Sequence, residues 1–218
     1  MKATKDNGAT LYLSVPVCSF RKGYAREYLE TEEIPPPSTV YGFLLSLVGE
    51  EDRYRYRGTD LAYAVLSKPE LSVILRTVWR MKDKKIPPGT GQNKRPDYQE
   101  ILTGLEMAIW VKGGEFAERI NAVGQNSAQT KRFGGLCLGE SHDLINDILW
   151  NPNLSAKEGH WLVQDQEGEY PLPIWVDHVG SKNTVWKQFS LQHGNLELPA
   201  EKDPRWITID NKQTGHTD

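Results

Sequence analysis

Between residues 10 and 19, Leu11, Leu13, Val15 and Val17 alternate with Tyr12, Ser14, Pro16 and Cys18. A period of two predicts a strand with one apolar face, and Pro16, which has no amide proton, places that strand at a sheet edge or marks its end. Residues 20–34 show no clean period and read as an ordered loop. Pro35, Pro36 and Pro37 stiffen the approach to a helix with Val40, Phe43, Leu44, Leu47 and Val48 at i, i+3, i+4, i+7 and i+8. Ser38 is the expected cap of that helix and Gly49 its left-handed stop. Residues 61–66 read as a short buried strand and residues 71–81 as a long alternating one, with residues 105–112 as its return partner in a hairpin. The intervening residues 82–104 form a connection rich in Lys, Pro and Gly, long enough to imply function or mobility. A second helix over residues 115–123 stops at Gly124, and residues 131–142 make a Gly-rich approach to a short strand. Beyond Trp150, residues 161–163, 173–176, 185–191 and 206–209 are candidate short strands.

With 218 residues, 38% hydrophobic and 25% charged, the chain is expected to form one elaborated domain or a domain with an appendage, and it is too apolar to be disordered. Its longest apolar stretch, residues 43–48, is far short of a membrane span, and residues 1–10 lack the apolar core of a secretory signal. A cytoplasmic protein without a membrane partner is expected. Cys18 and Cys137 are too few for a disulfide scaffold, and His142, His160, His178, His193 and His216 are scattered, so neither metal nor cofactor is expected. The Asp177-His178 pair would point to opposite faces of a strand.

Charge changes the picture. The net charge of -3 argues against a nucleic-acid partner, but the charge is segregated. Arg76, Arg80, Lys82, Lys84, Lys85, Lys94 and Arg95 stand against Asp83 alone in the hairpin connection and its flanks. Such a tip can hold a polyanion, although lysines also deter edge pairing on a solvated hairpin. Arg53, Arg55 and Arg57 interleave with Tyr54 and Tyr56 but stand beside Glu50, Glu51 and Asp52, so RNA contact and a self-paired surface loop both remain open.

The order of elements is strand, helix, extra strand, hairpin with an enlarged tip, helix and Gly-rich strand, which predicts an α+β fold of ferredoxin-like (RRM-like) type. Three features occur in this order: the Pro35-Pro36-Pro37-Ser38-Thr39-Val40-Tyr41-Gly42 helix entry, the basic hairpin tip, and Phe133-Gly134-Gly135-Leu136-Cys137-Leu138-Gly139-Glu140-Ser141. Together they resemble the CRISPR-associated Cas-five family, the RAMP-type Cascade subunit that caps the 5′ end of the guide RNA. The resemblance implies a RAMP domain over residues 1–150, a long β-hairpin thumb at residues 82–104 and a short strand-rich C-terminal extension over residues 151–218.

It also implies a type I Cascade subunit that binds the 5′ handle of the crRNA and contacts the backbone and large subunits, with target DNA near the flanking motif as a further candidate partner. The residues placed at the RNA are Arg21, Lys22, Tyr24, Arg26, Ser38, Thr39, Tyr41, Arg80, Lys82, Lys84, Lys85, Lys94, Arg95, Lys131, Arg132, Phe133, Gly134 and Gly135. Lys and Arg neutralise phosphates, Tyr98 can stack on an unpaired base, and Gly134 and Gly135 let the backbone approach a sugar-phosphate chain. The helix entry at Ser38 and Thr39 adds spare amides and partial positive charge. Some family members cleave precursor RNA without metal through a tyrosine, a lysine and a histidine. Here Tyr41 and His142 are the only candidates, so a non-catalytic subunit is expected, with a metal-independent ribonuclease and an RNA-free scaffold as alternatives.

Overall fold

The computed structural model describes residues 8–25, 28–79, 85–87, 94–132, 134–179 and 182–212. Among these, the strands join one mostly antiparallel sheet with two helices, an α+β arrangement. Strand β1 (Ala9–Cys18) is followed by the two-residue β2 (Tyr28–Leu29), helix α1 (Pro37–Val48), β3 (Asp60–Val65), β4 (Glu70–Trp79) and β5 (Lys94–Val111). Helix α2 (Glu115–Gln125) and the strands β6 (Asp147–Trp150), β7 (Glu158–Gln164), β8 (Tyr170–Trp175), β9 (Val185–Asn195) and β10 (Ile207–Thr208) complete the chain. The main path runs β6-β1-β5-β3-β7-β9-β8, and β7 hydrogen-bonds to β3, so the residues after 150 extend the same sheet.

Strand β5 is the spine. Its second half lies between β1 and β3, with Leu11 opposite Ile109 and Tyr63 opposite Ile109 from the other side. Its first half pairs with β4, from Glu70 opposite Thr103 to Trp79 opposite Lys94, and with β2. The expected hairpin exists, but the return arm begins at Lys94, whereas the sequence pattern starts it at residue 105. The reason is that residues 94–103 carry charged and polar side chains on both faces, which hides their period. Gly104, at φ +74°, marks the point where β4 gives way to β3 along the spine.

The alternation in β1 holds as far as Val15: Leu11, Leu13 and Val15 are fully buried on the face covered by the helices, but past Pro16 it reverses, with Val17 exposed and Cys18 buried. Strand β1 is not an edge over residues 11–14, since β6 pairs with it there. Pro16 falls just past the last β6 pair, Ser14 with Asp147, where β1 keeps only β5 as a neighbour. Helix α1 buries Val40, Phe43, Leu44, Leu47 and Val48 as its spacing predicts, and Gly49 closes it at φ +67°. Ser38 is not its cap. Pro36 occupies that position and no side chain caps the helix, because Pro37 at the first helical position leaves one fewer amide to satisfy. The Tyr63 hydroxyl, buried under the sheet, donates to the Pro35 carbonyl at 2.6 Å and anchors the proline entry.

Helix α2 does not stop at Gly124 but runs to Gln125. Glycine is needed there for space, since a Cβ would lie 2.2 Å from the Trp150 ring. The described residues of 131–142 do not form a strand. They make a turn held by a single bridge, Cys137 with Leu144, and the strand that pairs with β1 is β6, whose four residues are too short to show a period. The opposite face of the sheet buries Ala62, Ala64, Ala108, Trp110, Trp161 and Val163 beneath Leu154 and Leu196. No helix among the described residues is long and apolar enough to cross a membrane.

Candidate nucleic-acid interface

The loop after β1 folds back onto the β4–β5 hairpin. The Phe20 amide donates to the Thr31 hydroxyl at 2.7 Å, the Lys22 amide donates to the Glu30 carbonyl at 3.0 Å and the Ala25 amide to the Lys22 carbonyl at 3.1 Å, so Arg21, Lys22 and Tyr24 sit on a small reverse turn. β2 then runs parallel to β5 with Tyr28 opposite Tyr98, while Leu75 of β4 stands opposite Tyr98 on the other side. Paired residues share a face of the sheet. Tyr28, Tyr98 and Leu75 are therefore neighbours on one exposed surface, and Tyr24 is 70% exposed on the adjoining turn. The Tyr28 hydroxyl lies beside the Glu100 carboxylate, which accepts the Thr31 amide at 2.9 Å. Two flat rings on a rigid strand pair, leading toward Lys94 and Arg95, can stack unpaired bases.

The reverse face of the same hairpin is buried and polar. Gln99 donates to the Ser19 hydroxyl at 2.9 Å, and the Ser19 amide donates to Asp143 at 2.9 Å. Arg76 donates to Gln99 and to Glu140, the latter at 2.9 Å. Ser19, Thr31, Asp97, Gln99 and Asp143, all under 4% exposed, gather here at the root of the hairpin. A hydrogen-bonded buried polar network specifies one orientation of the groups it joins, and Gln99, Ser19, Asp143 and Arg76 here join the hairpin to the body. Sequence patterns do not reveal it, because its members come from four distant segments.

No family model matches the chain. The chain is 41% identical over 203 residues to the CRISPR-associated protein Cas5 of Myxococcus xanthus (strain DK1622), covering 89% of this chain and 95% of that protein. The chain belongs to the Cas5 family. In fold, this Cas5 family member is similar to a chain of a CRISPR RNA-guided surveillance complex, with a TM-score of 0.63 and 13% identity over 91% of this chain and 96% of that one. It is also similar to a crystal structure of a Cas protein, with a TM-score of 0.51 and 14% identity over 86% and 94% of the two chains.

The structure brings together part of the expected site and separates the rest. Tyr28, which sequence reasoning passed over, pairs with the hairpin, whereas Arg21, Lys22 and Tyr24 lie on the turn between β1 and β2. Lys22 lies 3.9 Å from Glu30, and Arg21 donates to the Ala25 carbonyl at 2.8 Å. Arg26, Arg80, Lys82, Lys84 and Phe133 lie outside the described residues; Lys94 and Arg95 are placed by their backbone alone, and Lys85 is exposed. Lys131 and Arg132 lie at the carboxy end of α1, where they line a groove with Gly42, Gly49, Glu50 and Glu51. Ser38 and Thr39 are at the other end, about 16 Å away along a helix of this length. The Thr39 amide is already used, donating to Pro36 at 2.9 Å, so the helix entry offers fewer spare amides than its sequence suggests. Gly134, at φ +73°, and Gly135 are exposed beside Arg132 along a second groove.

Tyr41 is a core residue, not a surface one. Its ring packs against Phe116 and Trp175, its hydroxyl donates to the Arg53 carbonyl at 2.9 Å, and burial pushes its pKa up to about 12. His142 belongs to the polar root, 3.4 Å from Glu140 and 3.6 Å from Asp143. Nothing among the described contacts of Tyr41 joins it to that turn.

Proposed function

We propose that this Cas5 family member is a non-catalytic subunit of a type I CRISPR Cascade that binds the 5′ handle of the guide RNA. The β4–β5 hairpin carries this reading: a long arm with paired exposed tyrosines at its base and, by sequence, a strongly basic connection at its tip. Cationic side chains would hold phosphates while Tyr28 and Tyr98 receive bases, and the buried root fixes the arm's direction. Arg21, Lys22, Lys131, Arg132, Gly134 and Gly135 extend the path along the body. The order β6-β1-β5-β3, crossed by α1 and α2, supports a ferredoxin-like RAMP core, with β7 to β10 as the extension. Backbone and large Cascade subunits are the proposed protein partners, target DNA near the flanking motif is a further one, and the cytoplasm is the proposed location.

Metal-independent cleavage by Tyr41 and His142 has less support, because the Tyr41 hydroxyl is buried, bonded and held protonated. The test is guide-RNA binding by the full chain after joint substitution of Lys82, Lys84, Lys85, Lys94 and Arg95 by Ala. Loss of retention is expected, with the slope of log affinity against log salt flattened by about 3 to 4, at roughly 0.7 per lost phosphate contact on a single strand. Unchanged retention and an unchanged slope would favour the RNA-free scaffold. Specific cleavage of a precursor in EDTA that is lost in His142→Ala would favour the ribonuclease.

A further inference from the structure

The alternating Arg-Tyr run after α1 separates into two kinds of arginine. Arg55 pairs with Glu115 at 2.7 Å, and Arg57 reaches Asp210 at 3.8 Å and the Asn211 side-chain oxygen at 3.1 Å. Both are consumed on the surface, by residues distant in sequence rather than by the neighbouring Glu50, Glu51 or Asp52. Arg53 is different. Its guanidinium lies over the Trp175 ring, 4.1 Å from the centroid, and 5.9 Å from the Tyr54 ring. Among the described residues it meets no acid and makes no side-chain hydrogen bond.

That guanidinium lines a cavity of about 510 Å3 together with Tyr54, Trp175, Asp177, His178 and Asn183. The walls are built rather than accidental. The Tyr41 hydroxyl holds the Arg53 carbonyl, and Tyr54 leans on Trp175 with ring centroids 5.3 Å apart. The Asp177 carboxylate accepts the amides of Val179 at 2.9 Å and Asn183 at 3.3 Å, bonds that hold it below the usual carboxylate range, so the acid in the wall serves its own loop. What faces the cavity is a guanidinium orientated by stacking, an exposed imidazole at His178 and a phenol ring 55% exposed at Tyr54. An arginine fixed on an aromatic face keeps its fork of donors for an oxyanion, and a ring beside it offers a flat apolar surface.

We propose that this cavity is a nucleotide site, in which Arg53 and His178 take the phosphate and Tyr54 stacks on the base of a single unpaired ribonucleotide. It rests on the reading of the chain as an RNA-binding subunit and adds a contact point away from the hairpin, between the α1–β3 loop and the end of β8. The cavity admits one nucleotide rather than a strand, so it selects an end or a looped-out unit.

The test titrates the full chain with AMP, adenosine and inorganic phosphate. AMP is expected to bind at least about tenfold more tightly than either fragment. Arg53→Gln should weaken AMP about tenfold or more, with Arg53→Lys intermediate because it keeps charge but not the fork. Tyr54→Ala should lower AMP affinity to that of phosphate, and because this ring is exposed, the variant decides the matter should Arg53→Gln fail to fold. AMP affinity indifferent to both substitutions, or no AMP binding by about 10 mM, overturns the proposal. A Glu-rich peptide that displaces AMP and binds more than about tenfold more tightly overturns it too, and assigns the cavity to a protein partner. An oligoribonucleotide titrated in parallel separates the two readings. Retention through the hairpin lysines with AMP indifferent to Arg53 removes only the cavity, whereas AMP binding through Arg53 without oligoribonucleotide binding removes only the proposed function.

Discussion

Arg76 on β4 and Glu140 in the turn before β6 form an ion pair of 2.9 Å, and the same nitrogen donates to the side-chain oxygen of Gln99 on β5. One guanidinium thus ties both arms of the hairpin to the body.

Removing it should be felt unequally by its partners. Arg76→Ala leaves the oxygen of Gln99, 1% exposed, without this donor, a loss of about 1–3 kcal/mol. Glu140→Gln removes only a pair about a third exposed and should cost under about 1 kcal/mol. Urea unfolding checks the difference, and equal losses would deny the buried amide its role.

Asp143 should give stability a pH dependence of unusual sign. Burial raises its carboxyl above the ordinary value, against the amides of Glu140 and Ser19 and the nearby His142, which pull it down. The unfolded chain therefore releases this proton first as pH rises. The contribution of Asp143 is greatest at low pH and declines from about pH 4 upward through its raised value. Asp143→Asn lacks that decline, so its stability should gain on that of the unsubstituted protein between about pH 4 and 7. Parallel urea midpoints across that range would contradict this.

Cys18 is fully buried, and burial together with Asp143 pushes its thiol up to about 12. At pH 8 only about one thiol in ten thousand would be ionised, so a disulfide reagent should react with Cys137, which is partly exposed, long before Cys18. Simultaneous labelling of both in the folded protein is the result that counts against this packing.

Gly124→Ala tests a packing contact against helix propensity. Alanine favours a helix over glycine by about 1 kcal/mol, yet its Cβ would meet the Trp150 ring at 2.2 Å. A net loss of about 1–3 kcal/mol is expected from overpacking in thermal or urea unfolding. Stabilisation would mean that α2 and β6 separate freely.

Tyr98 is 56% exposed, so Tyr98→Ala should leave stability nearly unchanged while weakening oligoribonucleotide binding by about 1–3 kcal/mol per stacked base. Tyr98→Phe should keep affinity. Binding titrations at fixed salt distinguish the two, and equal affinity for both variants would exclude stacking.

Much of this was legible before the structure. The period of two in β1 and the helical spacing of α1 need only local stereochemistry, as does the Gly49 stop; the last two hold, and the first holds up to Val15, beyond which Val17 is exposed and Cys18 buried. The basic tip was visible as segregated charge. Residues 94–103 were not legible as strand, since polar side chains on both faces erase the alternation wherever neither face joins the main core. The turn over 137–144 passed for a strand because its glycines and apolar residues resemble one, although only the Cys137–Leu144 bridge pairs it.

The chain by itself determined that β1, α1 and α2 form, which faces of β1 up to Val15 and of α1 are apolar, and where cations concentrate, because those properties depend on neighbours within a turn or two. Partners across the sheet were decided only in three dimensions. Tyr28 meets Tyr98, Arg76 spans Gln99 and Glu140, and Arg53 lies on Trp175, all contacts between residues at least twenty-three positions apart. Such contacts form only after the core has closed the loops between them, and the cost of that closure is met by burial of the whole sheet rather than by anything in the local pattern.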